Sequence, residues 1–247
     1  MSNRFTNEEK ESKWGYYSGY EKPKSVEDQI DILRSHWPDL DPDPALKYYR
    51  EVYSTLTLPG WVEGPFVILP PMVGEYYEEL GRLHRADDRQ TDQLFGALAR
   101  DRGRALHIRR DQFDPHDLMW VERTNKFRAL KKGYPGDLLI IPAQFGVRHR
   151  GRSVRRARRM FDRNEVGLDL NMVATMLLTH PERLQHHKDL SIDCAGSGYD
   201  PVSHRYSLIT PNFHVGLDGF DDNVYAGLRW SDQAKPYSGS VTCFLHV

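Results

Sequence analysis

The N-terminal half of the chain places apolar residues at helical spacing. Segment 25–37 has an apolar residue every three or four positions, at Val26, Ile30, Leu33 and Trp37. Ser25, with Asp28 three residues later, resembles a capping box and predicts that an amphipathic helix begins there. A second helix is predicted from near Pro44, and a longer helical region from Gly74 to Arg100.

Shorter apolar runs bounded by Pro, Gly, Asp and Ser predict strands. In the first part of the chain these runs lie at 66–69, 105–108, 118–121 and 138–142. The last third has four more, LSIDCAG, RYSLIT, NVYAGLRW and SVTCFLHV. Closely spaced runs of this kind are typical of a β-rich lobe.

One segment between these two groups of strands is apolar nearly all round. Residues 171–178 read NMVATMLL, which predicts a buried helix from Leu170 to Thr179. The residues expected in the core are Met172, Val173, Met176 and Leu177.

Together the elements predict an α+β fold with a helical N-terminal half, a basic strand–helix unit and a β-rich C-terminal lobe. Residues 1–24 are predicted to form a flexible strap, polar at its start, that docks through Trp14, Tyr16, Tyr17 and Tyr20. Residues 25–247 are predicted to form a single domain, with a helical part at 25–100, a basic part at 100–163, and a buried helix and β-rich part at 164–247.

The net charge of −1 hides an uneven distribution of charge along the chain. Residues 100–163 hold 18 Lys and Arg against 7 Asp and Glu, so both flanking segments together are acidic. Seven of these arginines fall in residues 148–159, RHRGRSVRRARR, which we call the arginine run. A cluster of this density is typical of a surface that meets an anion.

The arginine run suggests where such an anion would bind. Ser153 is a favourable N-cap, which predicts a helix through Phe161. Before it, three arginines occupy alternate positions, as at the end of an extended strand. The expected anion site, with nucleic-acid phosphates as the preferred ligand, consists of Arg148, Arg150, Arg152, Ser153, Arg155 and Arg156. Arg158 and Arg159 are expected to pair with acids of the flanks.

Charge counting leaves a second interpretation open. The arginines could all pair within the chain, as in a structural or protein-interaction protein, because a surface ion pair contributes only ~0–1 kcal/mol and leaves little trace in a sequence. No aromatic residue interrupts the arginine run. If nucleic acid or another polyanion is the partner, we therefore expect contact with its backbone and a strong dependence on salt.

A third interpretation is an enzyme that uses a cysteine and a histidine. Cys194 follows a predicted strand and precedes Gly196, a common position for a nucleophile, and His149 or His214 could activate it. Cys194 and Cys243 are expected to be reduced. Phosphate-loop, dinucleotide and zinc motifs are absent from the sequence, so we predict no cofactor and no metal, and the balance favours a protein that is not an enzyme.

Hydropathy bears on location. The sequence has no run of about 18 apolar residues, so no membrane-spanning helix and no membrane partner are expected. The first residues, MSNRFTNEEKESKWG, lack the apolar core of a signal peptide. A cytoplasmic location is the expectation that follows, and the oligomeric state stays open.

Five segments occur in the order WGYYSGYEKPKSVEDQIDILR, LIIPAQFGVRHRGRSVRRAR, NEVGL, MLLTHPERL and DCAG. Together they resemble a group of proteins of unassigned function predicted from the small genomes of candidate-phyla bacteria, with FGVRHRGRSVRRAR as the most specific part. The resemblance spans most of the chain and implies a bacterial protein, but it implies nothing about an activity or a cofactor. The group has an acidic pair after its DC motif, whereas Ser197 and Gly198 precede Tyr199 here, so no role of those acids is carried over.

Overall fold

The structure is a computed structural model. It describes residues 7–70, 88–101, 106–108, 119–120, 136–198, 209–216 and 223–246. Of the helical region predicted from Gly74 to Arg100, the part before residue 88 lies outside the described residues. Among the described helices, none is both long enough and apolar enough to cross a membrane.

The described helices follow the predicted pattern. They are α1 (Val26–His36), α2 (Asp43–Glu51), α3 (Asp88–Asp101), α4 (Val154–Met160) and α5 (Leu170–Thr179). The predicted cap of α1 is confirmed, because the side chain of Ser25 accepts a hydrogen bond from the backbone N–H of Asp28 at 3.0 Å. Its hydroxyl satisfies one of the donors that the first turn of a helix leaves unpaired.

Most of the strands lie in two mixed or antiparallel sheets. Sheet I has the order β1-β4-β11-β5, and its strands span Gly64–Ile68, Leu139–Gln144, Thr242–Phe244 and Glu165–Gly167. Sheet II has the order β10-β6-β8-β9-β2, and its strands span Ser238–Ser240, Ser191–Asp193, Ile209–Val215, Val224–Trp230 and Leu106–Ile108. A short pair is formed by β3 (Met119–Trp120) and β7 (Ser197–Gly198). The predicted α+β class is confirmed, with helices concentrated towards the N-terminus and strands towards the C-terminus.

Neighbouring strands run antiparallel except at two places in sheet II. There β10 is parallel to β6, and β2 is parallel to β9. In sheet I, Phe66 of β1 lies beside Ile141 of β4, and Cys243 of β11 lies between Ala143 and Val166. All of these side chains are buried, so sheet I contributes directly to the core.

The core centres on α5. Every residue of α5 is buried, as its all-apolar pattern predicts, and the helix packs against α1, α3 and β1. Asp169 caps α5 by accepting a hydrogen bond from the backbone N–H of Met172 at 2.8 Å. The segment predicted as one strand over 240–247 instead splits at Val241, so that β10 belongs to sheet II and β11 to sheet I.

Candidate anion-binding site

The chain changes direction just before the arginine run begins. Strand β4 ends at Gln144, and Gly146, at φ +115°, turns the chain into a 3-10 turn over Val147–His149. Glycine adopts this left-handed conformation without the steric cost that other residues meet. The prediction of an extended strand is therefore wrong for Arg148, whereas Arg150 has extended backbone angles (φ −59°, ψ 143°) and Arg152 forms an isolated antiparallel bridge with Glu9.

The second half of the arginine run is helical, as predicted. Ser153 caps α4, because its hydroxyl oxygen accepts a hydrogen bond from the backbone N–H of Arg156 at 3.0 Å. The same hydroxyl donates to the carboxylate of Glu8 at 3.1 Å. One side chain thus both begins the helix and holds the strap against it.

Arg148 is paired with carboxylates. Its Nε donates to both carboxylate oxygens of Glu165, at 3.0 and 3.1 Å, and its Nη2 donates to Asp162 at 2.7 Å. The guanidinium also stacks over the ring of Trp61, with its carbon atom 4.7 Å from the ring centroid. Its charge is therefore compensated inside the chain.

Glu165 stands at the centre of a buried polar network. Its carboxylate lies 2.7 Å from Nε2 of His149 and accepts hydrogen bonds from Thr242 Oγ1 at 2.8 Å and from the backbone N–H of Asp162 at 3.1 Å. Burial acts to raise the pKa of Glu165, but its hydrogen bonds, first of all the one with His149, hold that pKa below its ordinary value. Burial lowers the pKa of His149. We infer that the guanidinium of Arg148, rather than a charged imidazole, compensates the ionised carboxylate.

Two acids of the strap take up three more arginines. Glu8 is almost fully buried and accepts hydrogen bonds from Nη2 of Arg155 at 2.6 Å and from its Nε at 3.3 Å. Glu9 accepts hydrogen bonds from Arg156 at 3.0 Å and from Arg152 at 3.3 Å. Burial acts to raise the pKa of Glu8, yet its hydrogen bonds lower the pKa overall. The acidic flank therefore pairs with arginines that the sequence analysis assigned to the anion site.

Arg158 has a different kind of partner. Its Nε and Nη2 donate to the backbone carbonyls of Ala195 at 2.9 Å and Ser197 at 2.8 Å. Burial lowers the pKa of Arg158 to about 10, although the nearby carboxylate of Asp193 acts in the opposite direction. The expected hydrogen-bonded pairing of Arg158 with an acid is thus wrong, because carbonyls of the segment after β6 take its donors. Arg159 was also expected to pair with an acid of the flanks, and its charge acts to lower the pKa of Glu8.

Gly151 lets the strap approach the arginine run closely. Its φ is +74°, its carbonyl accepts a hydrogen bond from the backbone N–H of Lys10 at 2.7 Å, and a Cβ at this position would overlap the carbonyl of Lys10. We expect Gly151→Ala to lower the free energy of unfolding by about 1–3 kcal/mol, measured by urea denaturation. Gly60→Ala is the control, because its Cβ would meet no atom within 4 Å. An equal effect of both changes would contradict this account.

The strap continues past the arginine run and is anchored by tyrosines. The hydroxyl groups of Tyr16 and Tyr20 donate to the two carboxylate oxygens of Glu63. The guanidinium of the fully buried Arg183 lies 4.2 Å from the centroid of the Tyr16 ring and donates to the carbonyl of Phe145 at 2.9 Å. Burial raises the pKa of Glu63. These contacts fix the backbone on either side of Tyr17.

Between these anchors the strap forms one wall of an open pocket of about 560 Å³. The strap pocket is lined by Lys13, Trp14, Gly15, Tyr16, Tyr17, His187 and Lys188. Tyr17 is 60% exposed, its ring packs against His186 at 4.7 Å between centroids, and the ammonium of Lys188 lies 5.2 Å from its ring centroid. Trp14 packs edge-on against Tyr237 at 5.8 Å.

The charge around the strap pocket is mainly positive. Lys13 and Lys188 are exposed, and the exposed Arg150 donates through Nη1 to the carbonyl of Trp14 at 3.1 Å. Within the described part of the chain, Arg150 contacts no carboxylate. Asp189, the acid next to Lys188 in sequence, is buried and accepts hydrogen bonds from Ser18 N, Ser18 Oγ, Gln185 N and His186 N. Those donors satisfy its oxygens, so the lysines stay available to an incoming anion.

Cys194 lies in the core. It is fully buried, and burial, followed by the charges of Asp193 and Asp169, raises the pKa of its thiol well above the ordinary value. No hydrogen bond from a described histidine reaches it, and His149 is engaged by Glu165. Such surroundings are typical of an inert thiol. A reactive Cys194 stays a prediction.

Comparisons with known proteins add no assignment. Neither protein-family models, nor curated proteins, nor solved structures give a match to this chain. Among the described residues, no cluster of three or more His, Cys, Asp or Glu side chains is arranged to hold a metal ion. The candidate function therefore rests on the geometry of the chain itself.

The strap pocket includes residues that the sequence analysis did not assign to the site. Trp14 and Tyr17 were expected only to dock the strap, and Lys13 and Lys188 had no predicted role. The signal in the sequence is a lysine next to aromatic or imidazole rings, in KWGYY at 13–17 and in HHK at 186–188. That signal is weak because the two segments are far apart in sequence, and because the arginine run is much denser in charge.

Proposed function

We propose that this protein binds an anion at the strap pocket, and that its ligand is the phosphate backbone of single-stranded nucleic acid. The observation that carries the proposal is one open pocket of about 560 Å³ whose lining combines Lys13 and Lys188 with the aromatic side chains of Trp14 and Tyr17. Proteins that bind single strands combine cations for the backbone with rings for the bases.

The chemistry of the strap pocket fits both parts of such a ligand. Lys13 and Lys188 are exposed cations, and Arg150 adds a guanidinium beside Trp14. The exposed ring of Tyr17 offers a surface on which a base can stack, since every base has an aromatic face. These contacts carry little sequence information, so binding is expected to be tolerant of sequence.

The arginine run has a supporting role in this proposal. Its ion pairs with Glu8 and Glu9 hold the strap in place, and the strap supplies one wall of the pocket. These ion pairs are also compatible with the alternative, a structural or protein-interaction protein in which the arginine run only stabilises the fold. The two proposals differ in whether Lys13 and Lys188 of the strap pocket bind phosphate.

Fluorescence anisotropy with a labelled single-stranded oligonucleotide tests the proposal. We expect binding at about 50 mM salt that weakens as salt is added, with log K falling by roughly 0.7 per unit of log[salt] for each phosphate neutralised. Lys13→Ala with Lys188→Ala should raise Kd by at least about tenfold and reduce the slope by the contribution of roughly two phosphates.

The matched control removes two positive charges elsewhere. Arg34→Ala with Lys47→Ala changes exposed residues on α1 and α2 and should leave Kd nearly unchanged. If the oligonucleotide does not bind at low salt, or if both double variants weaken binding equally, the strap pocket is not the site. The purely structural role of the arginine run would then be the better account.

A further inference from the structure

The two walls of the strap pocket are joined at its base. One wall is strap segment 13–17, and the other includes residues 187–188. Gly15 forms an isolated parallel bridge with Asp189, and its carbonyl accepts a hydrogen bond from the backbone N–H of Leu190 at 2.9 Å. Beside this bridge, the backbone N–H and the hydroxyl of Ser18 donate to the carboxylate of Asp189 at 2.8 and 2.5 Å. The strap pocket therefore ends at this base, and a continuous strand cannot pass between its walls.

The positive surface around the strap pocket is short. Lys13 and Lys188 are exposed in its lining, and the exposed Arg150 donates a hydrogen bond to the strap carbonyl that follows Lys13 in sequence. Along the strap, an exposed acid lies on either side of this segment, Glu11 before it and Glu21 after it. The three cations thus form a compact group rather than a row.

The neighbouring arginines do not lengthen this surface, because carboxylates already compensate four of them. These four are Arg148, Arg152, Arg155 and Arg156. A protein that follows a strand along its length needs a groove of available cations that tracks the backbone. The strap pocket instead offers its cations at one closed place.

A terminal phosphate differs from an internal phosphate in charge and in the number of its oxygens. A phosphate monoester carries a charge of about −1.5 to −2 at pH 7 and has three strong acceptor oxygens. An internal phosphodiester carries one negative charge. Attraction to a cation grows in proportion to the charge of the ligand. Three cations at a pocket that is closed at its base therefore favour the monoester at the end of a strand over the diesters along it.

We propose that the strap pocket binds a terminal phosphate monoester, so that the protein recognises the end of a nucleic-acid strand. This inference rests on the function proposed above and specifies which part of the ligand enters the pocket. Lys13, Lys188 and Arg150 bind the phosphate oxygens, and the exposed ring of Tyr17 stacks with the adjoining base. A free mononucleotide carries the same phosphate, and the test separates the two sources.

Competition against one labelled single strand measures the affinity of matched unlabelled strands of about ten nucleotides. One strand carries a 5′-phosphate and another a 3′-phosphate. The reference strand is one nucleotide longer and has hydroxyl groups at both ends, so that all of them have the same number of phosphates. We expect one phosphorylated end to lower Kd by at least about tenfold relative to the reference strand, as a hydrogen bond to a charged group does.

A mononucleotide with the preferred phosphate serves as a further competitor. It should compete more weakly than the phosphorylated strand, because the strand also offers diesters to the surrounding cations. A mononucleotide that competes equally well would identify a free nucleotide as the ligand and would overturn the strand end.

Gly15→Leu fills the strap pocket without removing a cation. Gly15 lines the pocket, and a Cβ at this position would meet no atom within 4 Å, so a larger side chain has room there. The hydrogen bond from Leu190 reaches the carbonyl of Gly15 and does not depend on the side chain. The variant should bind every strand as weakly as the reference strand. Gly60→Leu is the control, because its Cβ also meets no atom within 4 Å, and it should keep the full preference.

The outcomes separate this inference from the proposed function. If the wild-type protein binds all strands equally, or if Gly15→Leu keeps the preference, the terminal phosphate does not enter the pocket and the inference is overturned. Binding that is still weakened by Lys13→Ala with Lys188→Ala would then leave the proposed function standing. If no strand binds at low salt, both fail together. The comparison among strands uses the wild-type protein, so it does not depend on any variant folding.

Discussion

Replacing Glu165 with Ala should destabilise the protein by about 3–5 kcal/mol. The Glu165 side chain is fully buried, and it is the acceptor for Arg148 and Thr242 and lies 2.7 Å from His149. Its removal leaves the buried side chains of His149 and Thr242 without this acceptor, and it leaves Arg148, which is 23% exposed, with Asp162 as its remaining carboxylate. Removing one member of a buried ion pair costs more than the intact pair contributed. Urea denaturation of the wild type and the variant measures the difference.

The matched control for this change is an exposed glutamate in an ion pair of similar length. Glu182 lies 2.8 Å from Lys24, and both side chains are 32% exposed. Glu182→Ala should therefore change the free energy of unfolding by no more than about 1 kcal/mol. If both substitutions had the same effect, burial of Glu165 would not be what makes its network important.

The effect of Glu165→Ala should also depend on pH. The pKa of Glu165 is lower in the folded than in the unfolded protein, so its contribution is present above the unfolded pKa of about 4.3 and is lost as the pH falls through the folded value. The lowered pKa of His149 destabilises wild type and variant alike as the pH falls below about 6.5, because burial disfavours its protonation in both proteins, so this group does not narrow the gap. The gap between wild type and variant should therefore narrow only below about pH 4.3, where Glu165 itself takes up a proton.

Local chemistry made several elements predictable from the sequence. Ser25 and Ser153 begin helices because each hydroxyl accepts a hydrogen bond from a backbone N–H three residues later, and that requirement is visible in the sequence. Helix α5 was predictable for a different reason. A helix that is apolar on all sides has no face for water, so it must lie in the interior.

The partners of the arginine run were not predictable. Glu8 and Glu9 pair with residues more than 140 positions later, and charge counting contains no information about which acid meets which arginine. The strand geometry expected at Arg148 failed for a local reason, since Gly146 at φ +115° turns the chain into a 3-10 turn over Val147–His149. Acids of the flank were expected to pair with Arg158 and Arg159. The flank does pair with the run, but Glu8 and Glu9 accept hydrogen bonds from Arg152, Arg155 and Arg156.

Strand boundaries failed where the chain changes sheets. The segment 240–247 has a continuous apolar character, yet Val241 separates β10 from β11, and each pairs in a different sheet. Similarly, β8 continues through Pro211 to Val215, although proline is unusual inside a strand. Pairing partners far along the chain decide both outcomes, so apolar runs show that strands exist but not where they end.

The strap pocket could not be read from any one stretch of the sequence. The strap pocket joins residues 13–17 to 186–188, and only the fold shows that they meet. The register of sheet II is likewise a property of the fold, because a shift of one residue would send Asp193, Asn212 and Arg229 to the core side.

Replacing Leu177 with Ala should lower the free energy of unfolding by about 2–5 kcal/mol. Leu177 is 1% exposed in the middle of α5, the helix that packs against α1, α3 and β1. Removing its isobutyl group loses the transfer free energy of the buried carbons and leaves a cavity that three neighbouring elements can only partly fill. Chemical denaturation followed by circular dichroism measures the effect.

Met160→Ala provides the comparison, because it also shortens an apolar side chain on a helix, but one that is 41% exposed at the end of α4. We expect it to change stability by less than about 1 kcal/mol. A cost below about 1 kcal/mol for Leu177→Ala as well would contradict the central position of α5, since a truly enclosed leucine cannot be shortened so cheaply. The difference between these two substitutions therefore measures how much the enclosure of Leu177 between α1, α3 and β1 contributes to stability.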